Sequence, residues 1–149
     1  MKTKNPMINT DLTKLIEKAA DFHGHLGPFL VIGVKMGKFA KTNLSNAENG
    51  NLETTVKVPL LTPFSCVLDG IQVTTHCTTG NRRLIIENSQ KEIAVYFKLQ
   101  HSNRKLKVLV NPKIVEKLMN RISEGASNEE LAWEIARMPE SQLFTIEKR

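Results

Sequence analysis

Two short segments hold most of the side chains able to do chemistry. The first is Phe22-His23-Gly24-His25. Glycine between two histidines lets the backbone bend so that both imidazoles face one way, which regular helical spacing forbids. A pair of neutral imidazoles suits Zn²⁺ or another divalent transition metal. The helix expected to follow offers free N–H groups, which suit an anion equally well. The plainer alternative is one packing histidine and one solvated one.

The second segment runs from Cys66 to Asn81. Read as a helix over 65–77, it places Cys66, Asp69 and Cys77 along one stripe. Unbroken, that helix separates Cys66 from Cys77 by about 16 Å, so the two thiols cannot share an ion or form a disulfide within one chain. One cysteine then joins His23 and His25, or a second protomer supplies the other. Cys66 sits at the helix start, where its thiol pKa is expected to fall, making it the better ligand. Asp69, Gln72, Thr78, Gly80 and Asn81 form the candidate small-ligand set near the helix, with Arg82 and Arg83 adding positive charge suited to carboxylate or phosphate. The competing reading is a buried helix whose cysteines are small hydrophobes and whose Thr-Thr-Gly-Asn end is a plain cap.

The elements that must position these groups follow from periodicity. Leu12, Leu15, Ile16, Ala19 and Ala20 make a helical stripe over 11–21, capped by Thr10 or Asp11. Pro28 is suited to open a second helix through Phe39–Ala40, with Lys35, Lys38 and Lys41 as its wet face. Gly33 and Gly37 weaken that helix unless another backbone packs closely there. Asn43 to Asn51 reads as a polar loop. Strands are predicted at Glu53–Val58, Leu84–Glu87, Ile93–Gln100 and Leu106–Val110, the last three joined as antiparallel hairpins. A helix from Pro112 stops at Gly125, and Ser127 to Glu130 is a capping box for another. Leu143–Ile146 adds an edge strand. The fold class is α+β, a mainly antiparallel sheet with helices packed on it, in one domain spanning 1–149.

Composition sets the bounds. The 149 residues are 40% hydrophobic and 24% charged, ordinary for a soluble globular domain. No apolar run reaches the ~20 residues that span a bilayer, and residues 1–10 lack a signal peptide's apolar core, so the expected setting is cytoplasmic, away from membranes. Two cysteines in a reducing compartment read as thiols or ligands. The net charge of +6 is scattered among acidic residues, and aromatics are only 5%, which argues against nucleic-acid binding.

At the two segments the chain resembles the FmdE-like family, named for a component of formylmethanofuran dehydrogenase. Phe22-His23-Gly24-His25 with Gly33 is similar to its N-terminal motif. Cys66-Val67-Leu68-Asp69-Gly70-Ile71-Gln72 and Cys77-Thr78-Thr79-Gly80-Asn81 are similar to its second motif, at matching separation. The resemblance extends from about Leu12 to Phe144. It implies an α+β core, a homodimer, and a metal, usually zinc, near the histidine and cysteine motifs, with His23, His25, Cys66 and Cys77 as the candidate ligands. It further implies an accessory role beside a one-carbon, molybdopterin-type oxidoreductase, with that oxidoreductase or a pterin-type cofactor as partner. The family commonly carries a cysteine just after His-Gly-His, where this chain has Leu26-Gly27-Pro28. Many members also end in a cysteine-rich zinc finger, whereas this chain has no cysteine beyond Cys77 and so resembles the core alone. The alternatives are an enzyme in which a metal-activated water or the Cys66 thiolate attacks a small anionic substrate, with Asp69 handling protons, and a dimeric interaction module without a metal.

Overall fold

A computed structural model describes residues 8–44 and 52–148. Helix α1, Thr10–His23, carries the predicted stripe, with Leu12, Ile16 and Ala19 buried. Its cap lies one residue earlier than expected. Asn9 Oδ1 accepts the Leu12 N–H at 2.8 Å, satisfying one of the orphan donors of the first turn. Helix α2, Pro28–Leu44, begins at the predicted proline and continues four residues past the expected Ala40. The remainder of the expected polar loop, 45–51, lies outside the described residues, as does most of the N-terminal segment.

The sheet has strands β1 (Leu52–Val58), β2 (Leu84–Asn88), β3 (Ala94–Leu99), β4 (Lys105–Val110) and β5 (Phe144–Lys148), in the order β2-β1-β3-β4-β5. β3–β4 is the expected antiparallel hairpin, and β5 is an edge strand on β4. The expected β2–β3 hairpin does not form. β2 pairs parallel to β1, Thr54 opposite Leu84, while β1 pairs antiparallel to β3 on its other side. The cause is the crossover between β1 and β2. It consists of a 3₁₀ turn at Phe64–Cys66 and helix α3, Val67–Thr75, and a helical crossover returns the chain parallel.

α3 lies directly on α2. At Gly33 an added Cβ would stand 2.2 Å from the Val67 carbonyl oxygen, and at Gly70 one would stand 2.3 Å from that of Leu30. The two glycines let the helix backbones touch, offsetting the helix propensity they cost. α2 is therefore central: twelve of its seventeen residues are buried.

Lys35 is among them, which corrects its assignment to a wet face. It is 4% exposed. Its ammonium donates to the carbonyls of Ile135 (3.0 Å), Ala136 (3.2 Å) and Met138. These carbonyls lie at the end of helix α5, Asn128–Arg137, where Ile135 C=O also accepts from Met138 N–H at 3.1 Å. Period-three spacing placed Lys35 beside Lys38 and Lys41 but could not register the helix end meeting it. Helix α4, Pro112–Ser123, and α5 have the predicted starts, with Ser127 Oγ accepting from Glu130 N–H at 3.3 Å. A single turn, α6 (Glu140–Leu143), leads into β5. Among the described residues no helix is long and apolar enough to cross a membrane.

Candidate functional site

His23 is the last residue of α1. Gly24 follows at φ 103°, and its N–H closes the helix on Ala20 C=O at 2.8 Å. A left-handed residue there turns the chain back at little cost only because it is glycine. The turn delivers His25 beside His23, ring centroids 4.7 Å apart and tilted by 35°. From the first turn of α3, Asp69 Oδ2 lies 2.6 Å from His23 Nδ1. Gln72 Nε2, one turn on, donates to Asp69 Oδ1 at 3.2 Å, so both carboxylate oxygens are engaged.

With Asp69 accepting at Nδ1, a neutral His23 ring carries its proton there and turns a lone pair outward at Nε2. His23 Nε2 is buried and has no hydrogen-bond partner. An unsatisfied buried acceptor costs roughly 1–3 kcal/mol, so this atom is held ready for a partner at some expense to the fold. His23 also lines a cavity of about 400 Å³, together with His25, Thr62, Pro63, Cys66, Ile122 of α4 and Asn128 of α5.

Cys66 is the half-buried thiol of this cavity. Burial pushes its pKa up, and the nearby Asp69 carboxylate pushes it further. This reverses the expectation of a lowered thiol. Cys66 lies in the 3₁₀ turn before α3, where its side chain makes no capping bond, so the helix end does not outweigh desolvation and a like charge. A thiol so placed is a poor free nucleophile at neutral pH. Asp69→Asn removes the like charge, and Cys66 is then expected to react faster with iodoacetamide at pH 8. An unchanged rate profile would show that Asp69 does not govern the thiol.

A family model described as "FmdE, Molybdenum formylmethanofuran dehydrogenase operon" matches residues 22–145, a span that contains both histidines, Cys66 and Asp69. The chain belongs to the FmdE family. A probable S-adenosyl-L-methionine-binding protein of Archaeoglobus fulgidus is 29% identical over 91% of this chain, which spans 42% of that relative's length. Among solved structures, a tungsten formylmethanofuran dehydrogenase FmdE-like protein from Syntrophus aciditrophicus superposes with a TM-score of 0.69 at 19% identity, covering all of this chain and 77% of that one. The α+β fold is thus that of an FmdE-like protein.

Within this FmdE chain the predicted site residues separate. His23, His25 and Cys66 share the cavity, and Asp69 and Gln72 stand behind His23. Cys77 lies elsewhere: it is fully buried two residues past the end of α3, and its thiol donates to Leu52 C=O of β1 at 3.2 Å. α3 stops at Thr75, and His76 turns left-handed at φ 60°, so the helical stripe that aligned Cys77 with Cys66 does not exist. Thr78 and Asn81 engage each other. Asn81 Oδ1 accepts from the Thr78 and Arg83 amides at 3.0 and 3.1 Å, and Asn81 Nδ2 donates to His76 C=O. Gly80 sits in the same closed turn, with Thr78 Oγ1 the nearest atom a Cβ would meet, at 3.8 Å. Among the described residues no group of three or more His, Cys, Asp or Glu is arranged to hold a metal ion. Sequence reasoning passed over Asn128 and Ile122, whose only local signals are helical. It also treated His23 and Asp69 separately, since 46 residues divide them.

Proposed function

We propose that this FmdE protein is an accessory metal- and small-ligand-binding component of a formylmethanofuran dehydrogenase-type oxidoreductase system, acting as a homodimer. The observation that carries the reading is the buried, partnerless His23 Nε2, with the opposite ring nitrogen fixed by Asp69. Metal-ligating histidines commonly donate their other N–H to a carboxylate, which sets tautomer and ring orientation and raises ligand basicity. His23 would hold the ion through Nε2, with His25 as the second donor and the Cys66 thiol as the third group within the cavity. Zinc is the first candidate, and it would supply Lewis acidity to a ligand in the cavity. Asp69 and Gln72 keep the His23 ring oriented, and Pro63 and Ile122 give the cavity part of its apolar lining.

The fit rests on two imidazoles, because no third His, Cys, Asp or Glu completes a cage among the described residues. Ligand or a modest shift of Cys66 would fill the remaining positions. The archaeal relative's description as a probable S-adenosyl-L-methionine-binding protein supports a small-molecule ligand. Elemental analysis of protein purified without added metal tests the reading, with about one equivalent of a transition metal expected in the wild type. His25→Ala, at an exposed residue, is expected to lower occupancy several-fold while leaving the melting curve of the metal-stripped protein unchanged. Less than about 0.2 equivalents in the wild type, unaltered in His25→Ala, would sink the proposal.

A further inference from the structure

The face of the sheet turned away from α2 carries a second cavity, of about 400 Å³, over β1, β3 and β4. Strand alternation puts Thr55, Tyr96, Lys98, Lys105 and Lys107 on this face, while Val56, Phe97, Leu106 and Val108 enter the core. Its charge is one-sided. Arg82, Arg83, Lys98, Lys105 and Lys107 line it, against the single carboxylate of Glu53, which already accepts from Gln100 Nε2 at 2.9 Å. Lys98 and Lys105 are direct cross-strand partners, an arrangement that destabilises an antiparallel pair. No salt bridge among the described residues involves Arg82, Arg83, Lys98 or Lys105.

The arginines are held in place by a braced turn. Arg82 takes the left-handed region at φ 67°, a strained conformation for a residue with a Cβ. The Asn81 side chain fixes the Arg83 amide, and Arg83 C=O accepts from Thr54 N–H of β1 at 2.9 Å. Both guanidinium-bearing residues are thereby anchored at the rim of the cationic cavity. Tyr96 is flanked by Lys57 and Lys107, whose ammoniums stand 5.4 and 5.5 Å from its ring centroid. Its ring therefore orients lysines and is not free to stack a base.

We infer that this cavity binds the phosphate chain of a small-molecule oligophosphate, with Arg82, Arg83, Lys98 and Lys105 on its oxygens. The volume falls within the range of small-molecule sites. Guanidinium forks match phosphate oxygens, and ammoniums act as point charges around them. A second copy of this chain fits poorly, because a two-fold contact through this face sets cations against cations. A nucleoside triphosphate and inorganic tripolyphosphate offer the same chemistry.

Tyr96 is the chain's only tyrosine, so its ring resonances report this face without ambiguity. Tripolyphosphate and ATP titrated separately into the full chain with labelled tyrosine are expected to shift those resonances saturably. Binding should weaken as salt rises from about 50 to about 200 mM. Orthophosphate should bind roughly tenfold more weakly, and Lys98→Gln with Lys105→Gln, which removes the like-charge pair, should weaken tripolyphosphate roughly tenfold or more while leaving the melting temperature unchanged or raised. ATP matching tripolyphosphate supports recognition of the phosphate chain alone, and tighter ATP binding supports added contacts to the nucleoside. Three results would overturn the assignment: no shift at Tyr96, a shift by a single-stranded oligonucleotide that ATP cannot displace, or a dimer that the double variant fails to form.

Discussion

Gly33→Ala is expected to lower the stability of the protein by about 3 kcal/mol, a fall of roughly 6–12 °C in melting temperature for a chain of this size. The new Cβ would lie 2.2 Å from the Val67 carbonyl oxygen, which is backbone and cannot rotate aside. α2 and α3 must separate, and the Asp69 carboxylate travels with α3 away from His23. Helix propensity points the other way, since alanine is worth about 1 kcal/mol more than glycine inside a helix. Gly80→Ala is the control, because an added Cβ there meets nothing closer than 3.8 Å. Thermal melts of the two variants decide the matter. Equal stability would mean that the interhelical contact does not limit the fold.

Lys35→Met should cost about 2–3 kcal/mol at neutral pH, because it strips the charge-assisted donor from three carbonyls at the end of α5 and leaves those of Ala136 and Met138 poorly satisfied, Ile135 C=O keeping the Met138 N–H. The stem volume is nearly kept, so the loss measures the polar cap and not a cavity. The effect also depends on pH, with a definite sign. Burial holds the Lys35 pKa below its ordinary 10.5, an effect that Glu140 only partly offsets. Between the lowered value and 10.5 the unfolded chain binds a proton that the folded chain does not, so stability rises with pH across that window. The contribution is fully present above 10.5 and is lost as pH falls through the folded-state value. Denaturant unfolding at several alkaline pH values should show the wild type gaining on Lys35→Met. A constant difference would refute the buried-cation account.

How far the sequence reveals the molecule depends on whether a feature is local. The stripe of Leu12, Ile16 and Ala19, Pro28 as a helix start, and the Ser127 cap all act within a few residues, and all are present. The His23-Gly24-His25 bend is likewise local, because the glycine's left-handed φ is all it requires. Partnership between distant segments is not written in the periodicity. β2 carries the right alternation at Leu84 and Ile85, but nothing in those residues says that it will sit beside β1 and not β3. Lys35 lost its solvent to a helix end a hundred residues away. Cys77 left the candidate cluster because α3 is shorter than its apolar pattern, ending at Thr75. The pairing that does most for the site, Asp69 with His23, joins two motifs that each look self-contained.

That pairing also makes occupancy and local order a single equilibrium. His23 ends one helix and Asp69 begins another, so the bond between them closes the junction of α1 with α3. Any opening of that junction frees His23 Nε2 from its orientation and disperses the cavity. Whatever binds Nε2 therefore adds RT ln(1 + [L]/Kd) to the work of opening. For a ligand at about a hundred times its dissociation constant this is about 2.7 kcal/mol. Slowed amide exchange in the first turn of α3 would register a filled site before any chemistry is known.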